Sequence, residues 1–226
     1  VYIVAIALYL LPPYSMPMQT CPLCRSTTET VTAYRDERFF ICGECGLYFR
    51  DPEHLLDPSS EKQRYQMHNN DVNDPGYQQF VSPVVNAVLE DMSSDHEGLD
   101  FGAGTGPVIS KMLRDRAYRI SQYDPFFHPY DDLLEKQYDY IVCCEVIEHF
   151  YDPTKEFRRL RSLLKPNGRL YCMTGIFTGQ TDFRYWTYKN DPTHVSIYQS
   201  KTLEWIRDHF NFSALEIDGR LASFIA

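Results

Sequence analysis

A chain of 226 residues with 43% apolar content is long enough for one ordinary domain plus a small appendage, and it can bury a sizeable core. Its formal charge of -9 gives a field that repels phosphate backbones, so nucleic acid is disfavoured as a partner unless a local basic patch exists. Seven cysteines without a convincing secretion signal point to a reducing compartment, the cytoplasm by default, where paired C-x-x-C units hold metal rather than disulfides.

Val1 to Leu11 is apolar but is broken by Pro12 and Pro13, lacks a basic flank and is shorter than the roughly 20 residues of a membrane span. No membrane anchor is expected, and residues 1–17, up to the methionines Met16 and Met18, read as a non-native leader, with a clipped signal peptide as the alternative. Cys21-Pro-Leu-Cys24 and Cys42-Gly-Glu-Cys45 then form C-x2-C-x17-C-x2-C, a spacing that sets four thiolates around one Zn²⁺. Four cysteines leave no open position for water, so the site is structural. Extended segments Thr30 to Arg35 and Arg38 to Cys42, with a turn at Asp36-Glu37, make residues 18–58 a zinc ribbon. Arg25, Arg35 and Arg38 are candidates to neutralise the thiolate charge, or are simply solvated.

From Asp51 to Gly76 the composition is polar and rich in Pro, Asn and Asp, which reads as a linker or irregular cap with a domain boundary near Ser60. Tyr65, His68 and Asn69 lie in this stretch and are candidates to cover a ligand. Val84, Val85, Val88 and Leu89 recur at helical spacing after Ser82-Pro83, closing a cap-and-helix region over 59–98. Strands and helices then alternate: a strand over Leu99–Phe101, a helix over Gly106–Arg116, a strand over Tyr118–Tyr123, and an apolar strand over Tyr138–Cys144. A helix lined by Phe157, Leu160 and Leu164 ends at Pro166-Asn167-Gly168, Arg169–Thr174 is the next strand, Ser200 caps a helix carrying Leu203, Ile206 and Phe210, and Phe212–Ile217 is extended. This order predicts an α/β fold with a parallel, doubly wound sheet over 99–226, with ligands at the carboxyl ends of its strands.

Leu99-Asp100-Phe101-Gly102-Ala103-Gly104-Thr105-Gly106 places small residues between a strand and a helix, where a ligand can approach the backbone. A nicotinamide-dinucleotide fingerprint needs glycine where Pro107 stands, and the acid Asp100 before the loop suits a cationic amino-acid moiety better than a pyrophosphate. Asp124 ends the next strand where a carboxylate can accept from two ribose hydroxyls, or else cap the turn.

The loop, Asp124, the strand ending Cys143-Cys144-Glu145 and the run Leu164-Lys-Pro-Asn-Gly-Arg-Leu170 together resemble the successive motifs of class I S-adenosylmethionine-dependent methyltransferases with a Rossmann-like sheet. The whole chain is similar to bacterial methyltransferase-domain proteins carrying an N-terminal zinc ribbon. The resemblance implies cofactor contacts through Asp100, Gly102, Ala103, Gly104, Gly106, Asp124, Pro125, Phe126, Cys144 and Glu145, with the last two near the sulfonium. Only residues 125–137 separate Asp124 from the next strand, so the family's third strand is expected to be missing or short, leaving Phe126 and Phe127 to stack on adenine or to pack.

Glu145, Glu148 and His149 fall at i, i+3 and i+4 after the fourth strand, and His194 lies in a later loop that can fold over the same mouth. The grouping is similar to that of ubiquinone-pathway O-methyltransferases and small-RNA 2′-O-methyltransferases. This likeness implies a catalytic set of Glu145, Glu148, His149 and His194 holding a second divalent metal such as Mg²⁺. Without metal, His149 or His194 is a general base, or the pair only orders the loop. Trp186, Tyr185 and Tyr188 are either an acceptor wall or packing. The acceptor is expected to be a small molecule methylated on O or N, with RNA methylation and a non-catalytic ribbon/Rossmann binding module as alternatives.

Overall fold

The computed structural model describes residues 18–28, 31–34, 37–67 and 70–226, and of 31–34 and 37 the backbone only. The expected leader, Thr30, Arg35, Asp36, His68 and Asn69 lie outside the described residues.

The N-terminal region builds two small sheets. Strands β1 (Gln19–Thr20) and β2 (Thr27–Thr28) flank the first cysteine pair, while β3 (Val31–Tyr34), β4 (Glu37–Ile41) and β5 (Tyr48–Arg50) form an antiparallel sheet around the second. In the polar stretch that follows, Pro52–His54 and Pro58–Gln66 are helical rather than irregular. Asp57 caps α1 (Pro58–Gln66) by accepting from the Ser59 and Ser60 amides, with Pro58 in the first turn where no amide donor is needed. Asp74 caps α2 (Pro75–Asp91) in the same way. This helix therefore begins well before Ser82-Pro83, and Pro83 lies inside it. The carbonyl of Gln79, which Pro83 cannot serve, accepts from the Ser82 hydroxyl at 2.8 Å, so the helix continues through the proline.

Beyond α2 come β6 (Glu97–Phe101), α3 (Val108–Arg114), β7 (Arg119–Tyr123), β8 (Tyr138–Cys144), α4 (Pro153–Ser162), β9 (Leu164–Met173), β10 (Ser196–Ile197), α5 (Ser200–His209), β11 (Ala214–Asp218) and β12 (Leu221–Ile225). The main sheet has the order β11-β12-β9-β8-β6-β7, parallel from β9 to β7 and antiparallel at β12 and β11. The third strand is absent as expected: after Tyr123 the chain turns, makes one 3-10 segment at Asp131–Glu135 and enters β8.

Three boundaries differ from the sequence reading. Leu164 is not helical but opens β9 opposite Tyr138, and the Pro166-Asn167-Gly168 stretch is a bulge within that strand, with Asn167 at φ 63°. Gln199, whose backbone is extended, is the residue that precedes α5, so Ser200 is its first helical residue and not its cap. The terminal strand β12, short and following Gly219, gave no periodic signal.

Alternation along the strands divides the core. Tyr140, Val142, Tyr171 and Met173 meet the valines of α2 and the apolar side of α3 on one face. Ile141, Cys143, Leu170 and Cys172 meet α4 and α5 on the other, in a cluster that continues without a break into Leu23, Phe40, Leu47 and Phe49 of the cysteine region. That region is also tied in by hydrogen bonds. Strand β10 pairs antiparallel with β5, Thr154 Oγ1 donates to the Leu23 carbonyl at 2.6 Å, and Gln199 Nε2 to that of Gly46.

Candidate active site and cysteine cage

The four cysteines Cys21, Cys24, Cys42 and Cys45 converge so that their sulfurs all lie within 4.8 Å of one another. The Sγ separations are 3.6 Å for Cys21–Cys45 and 3.4 Å for Cys24–Cys42. A tetrahedral zinc with bonds of about 2.3 Å needs sulfurs roughly 3.8 Å apart, so the cage fits a four-thiolate metal. The hydrogen bond between Cys21 and Cys45 draws Cys21 down to about 5 and pushes Cys45 up, as expected when crowded sulfurs share a proton. The arginines proposed to neutralise the cage do otherwise: Arg25 pairs with Asp152 at 2.6 Å, and Arg38 pairs with Asp51 and Glu53. Arg35 is outside the described residues.

A cleft of about 750 Å³ opens at the carboxyl ends of β6, β7 and β8. Gly102, Ala103 and Gly104 line it, with Asp124, Pro125, Phe126 and Phe127 beyond them and Cys144 and Glu145 opposite. Gly102 has φ +82°, and a Cβ there would strike Val146 at 2.5 Å. Asp124 is a cap as well as a wall: Oδ1 accepts from the amides of Phe126 and Phe127 and Oδ2 from that of Gly104, at 2.8–3.0 Å. Oδ1 is thus filled by two amides, whereas Oδ2, with a single donor, retains acceptor capacity.

Two expected cofactor residues do not line the cleft. The Asp100 carboxylate is buried behind the loop and accepts from Ser110 Oγ at 2.7 Å, and burial lifts it to about 6. Gly106 is covered by Asn70, whose carbonyl oxygen would lie 1.8 Å from a Cβ there. Asn70 itself lines the cleft and was missed because it stands in a stretch that reads as linker. Above the cleft, Tyr65 of α1 meets the His149 ring edge-on at 5.3 Å and Phe126 at 5.9 Å, so one of the expected covering residues does cover it.

At the other end of the cleft, Glu148, His149 and His194 bring one ligand atom each within 4.8 Å of one another. Glu148 is wholly buried and accepts from Thr174 Oγ1 at 2.8 Å and from the Tyr188 hydroxyl. His149 Nδ1 bonds the Thr193 carbonyl at 2.9 Å, and His194 Nδ1 bonds that of Tyr188 at 2.7 Å. A carbonyl only accepts, so both rings carry a proton on Nδ1, and in the neutral form Nε2 is the acceptor nitrogen. Burial lowers the pKa of His194, which favours its neutral form. Glu145 does not join the three. Its backbone takes φ 53°, and both carboxylate oxygens accept from Arg220 at 2.7 and 2.8 Å. Burial and the neighbouring Glu148 lift Glu145 to about 7 in spite of that partner. Arg220 and Thr174 carried no motif, and only their arrival from distant segments marks them.

Trp186 and Tyr188 pack ring to ring at 5.2 Å, with Phe177 and Phe183 beside Trp186, whereas Tyr185 is exposed. Trp186 thus belongs to the packing reading and Tyr188 to the site.

With this geometry in view, the model of the methyltransferase domain family matches residues 74–217. The chain belongs to that family. Its fold is that of a solved methyltransferase that holds S-adenosylhomocysteine. Among solved structures it is similar to the Burkholderia thailandensis 1,6-didemethyltoxoflavin-N1-methyltransferase with bound 1,6-didemethyltoxoflavin and S-adenosylhomocysteine, at 13% identity and TM-score 0.51, covering 87% of this chain and 97% of that one. It is also similar to an O-methyltransferase family protein from Burkholderia thailandensis, at 12% identity and TM-score 0.49 over 73% of this chain, and spans 61% of that protein's length. A methyltransferase from Archaeoglobus fulgidus gives 16% identity and TM-score 0.48, over 71% and 76% of the two chains. No curated protein matches the chain. No helix among the described residues is long and apolar enough to cross a membrane.

Proposed function

We propose that this methyltransferase moves a methyl group from S-adenosylmethionine to an oxygen or nitrogen of a small-molecule acceptor, with Glu148, His149 and His194 receiving the acceptor's proton. The observation that carries the reading is the convergence of that buried carboxylate and two Nδ1-protonated imidazoles beside the cleft. The cofactor supplies a methyl carbon made electrophilic by the sulfonium. The acceptor's lone pair attacks that carbon as the C–S bond breaks, and the proton left on the acceptor passes to a base. Gly102–Gly104 admit the amino-acid part against bare backbone, Asp124 accepts from a ribose hydroxyl through Oδ2, and Phe126 stacks on the purine. Either imidazole Nε2 can take the proton directly. The same O, N, N set suits a divalent cation with open positions, which would acidify a bound hydroxyl.

The cysteine cage is assigned to structural zinc, and its thiolates require the reducing surroundings of a cytoplasm. A small acceptor is favoured over RNA because the net charge is -9 and two of the arginines near the cage, Arg25 and Arg38, are already paired with acids. The similar 1,6-didemethyltoxoflavin-N1-methyltransferase acts on 1,6-didemethyltoxoflavin, as its name states. Calorimetry separates the readings: S-adenosylhomocysteine should bind and NADH should not, whereas binding of neither would leave a non-catalytic module. Metabolite profiling of a deletion strain, read for a species lighter by one methyl group, should identify the acceptor.

A further inference from the structure

We propose that Arg50, at the end of the ribbon strand β5, is a positioning residue that sets both site imidazoles by holding the backbone of the 188–195 loop. The argument starts from where that loop's carbonyls go. Before β10 the loop has only a 3-10 segment at Thr187–Asn190 and one turn bond, from His194 N to Asp191 O, so most of its carbonyls depend on donors from elsewhere. Tyr188 O is taken by His194 and Thr193 O by His149. Arg50 takes most of the rest: Nη2 donates to Lys189 O at 2.8 Å and to Asp191 O at 2.9 Å, Nε reaches His194 O at 3.3 Å, and its own amide donates to Val195 O at 2.9 Å. Arg50 and the two histidines thus hold one short run of backbone.

The guanidinium is 4% exposed and lies 4.7 Å over the Phe39 ring of β4, so its fork is fixed by the ribbon. A planar fork with five donors can serve several carbonyls at once, which a lysine ammonium on a flexible stem cannot do with the same geometry. Val195 N in turn donates to Glu148 O at 2.9 Å, which ties the third member of the cluster to the same run. The strand carrying Arg50 follows Cys42 and Cys45 directly and pairs with β10, so this side chain adds a link between the cysteine cage and the 188–195 loop to those made by backbone pairing. That the two imidazoles serve methyl transfer rests on the function proposed above; that Arg50 orients them does not.

The test uses the full chain with ¹⁵N-labelled histidine, comparing wild type with Arg50→Lys and Arg50→Met. In wild type, nitrogen spectra should show His149 and His194 protonated on Nδ1. Both variants should keep their zinc content and bind S-adenosylhomocysteine within about twofold of wild type. Their two imidazoles should instead move toward the Nε2-protonated form that free imidazole prefers, and amides 188–195 should exchange at least about tenfold faster. Unchanged tautomers and protection in both variants would overturn the proposal, and so would a uniform loss of cofactor affinity and zinc together, which would make Arg50 a general fold residue. Should S-adenosylhomocysteine fail to bind wild type, the proposed function fails while the tautomer result still decides the role of Arg50.

Discussion

The two ends of the cleft are made in opposite ways. The end proposed for the cofactor comes from one βαβ stretch, in which the glycine loop and the Asp124 turn line the cleft and one carboxylate pins both. The reaction end is assembled from the segment after β8, the end of β9, the 188–194 loop and the start of β12, with support from β5 of the ribbon. A site closed within one local unit is as stable as that unit. An assembled site is only as precise as the contacts that carry distant segments together.

The sharpest way to separate the ends is to remove the cage. Structural zinc contributes on the order of 10 kcal/mol to small metal-folded units. Elemental analysis should give one zinc per wild-type chain and none for Cys42→Ser, and hydrogen exchange in the variant should deprotect β4, β5 and the 188–195 loop while sparing β6 and β8. A metal-free variant with full protection would erase the contrast.

Asp100, beneath the glycine loop, gives the next largest effect. Its folded pKa of about 6 lies above the ordinary 3.8, so the folded chain binds more protons between those values and stability falls as pH rises from about 4 to 6. Asp100→Asn abolishes that fall. Urea unfolding should show the variant gaining up to about 3 kcal/mol on wild type between pH 4 and pH 7. Parallel pH profiles would mean that the carboxylate is not desolvated as its burial indicates.

Asp124→Ala strands polar partners and should weaken S-adenosylhomocysteine binding by about 1 to 3 kcal/mol, whereas Glu148→Gln should leave that affinity alone. Calorimetry with equal losses in the two variants would dissolve the distinction between ends. The smallest effect is expected at Arg64, which joins α1 to Asp191 at 2.8 Å through a half-exposed ion pair. Arg64→Ala should cost less than about 1 kcal/mol in thermal unfolding yet quicken exchange in the 188–194 loop. No change in exchange would show that α1 does not steady the reaction end.

This division also explains what could be read from the sequence. Apolar runs and glycine punctuation suffice for β6, β7 and β8, because each depends on local pattern alone, whereas the missing third strand is legible only once the short 125–137 spacing is set against the family that the motifs resemble. Glu148, His149 and His194 stand out as residue types, and their meeting follows once the fold is known. Arg220, half-exposed, and Arg50, buried, carry no such signal, since an arginine that serves a distant segment is recognised by its partners and not by its neighbours in the chain. Asp100 shows the converse error: an acid in the right motif position can face the helix behind the loop. The helix α2 was shortened because Pro83 reads as a start, and only a neighbouring hydroxyl that adopts the orphaned carbonyl allows otherwise.

The absent third strand has a kinetic side. Every parallel pairing requires a long crossover to close before any ladder bond rewards it, which makes such sheets slow to form. Between β7 and β8 this chain replaces a strand and its return helix with a turn and a single 3-10 segment. One of the costliest closures of a doubly wound sheet is thereby removed, and β7 can dock on β6 as soon as α3 has folded between them.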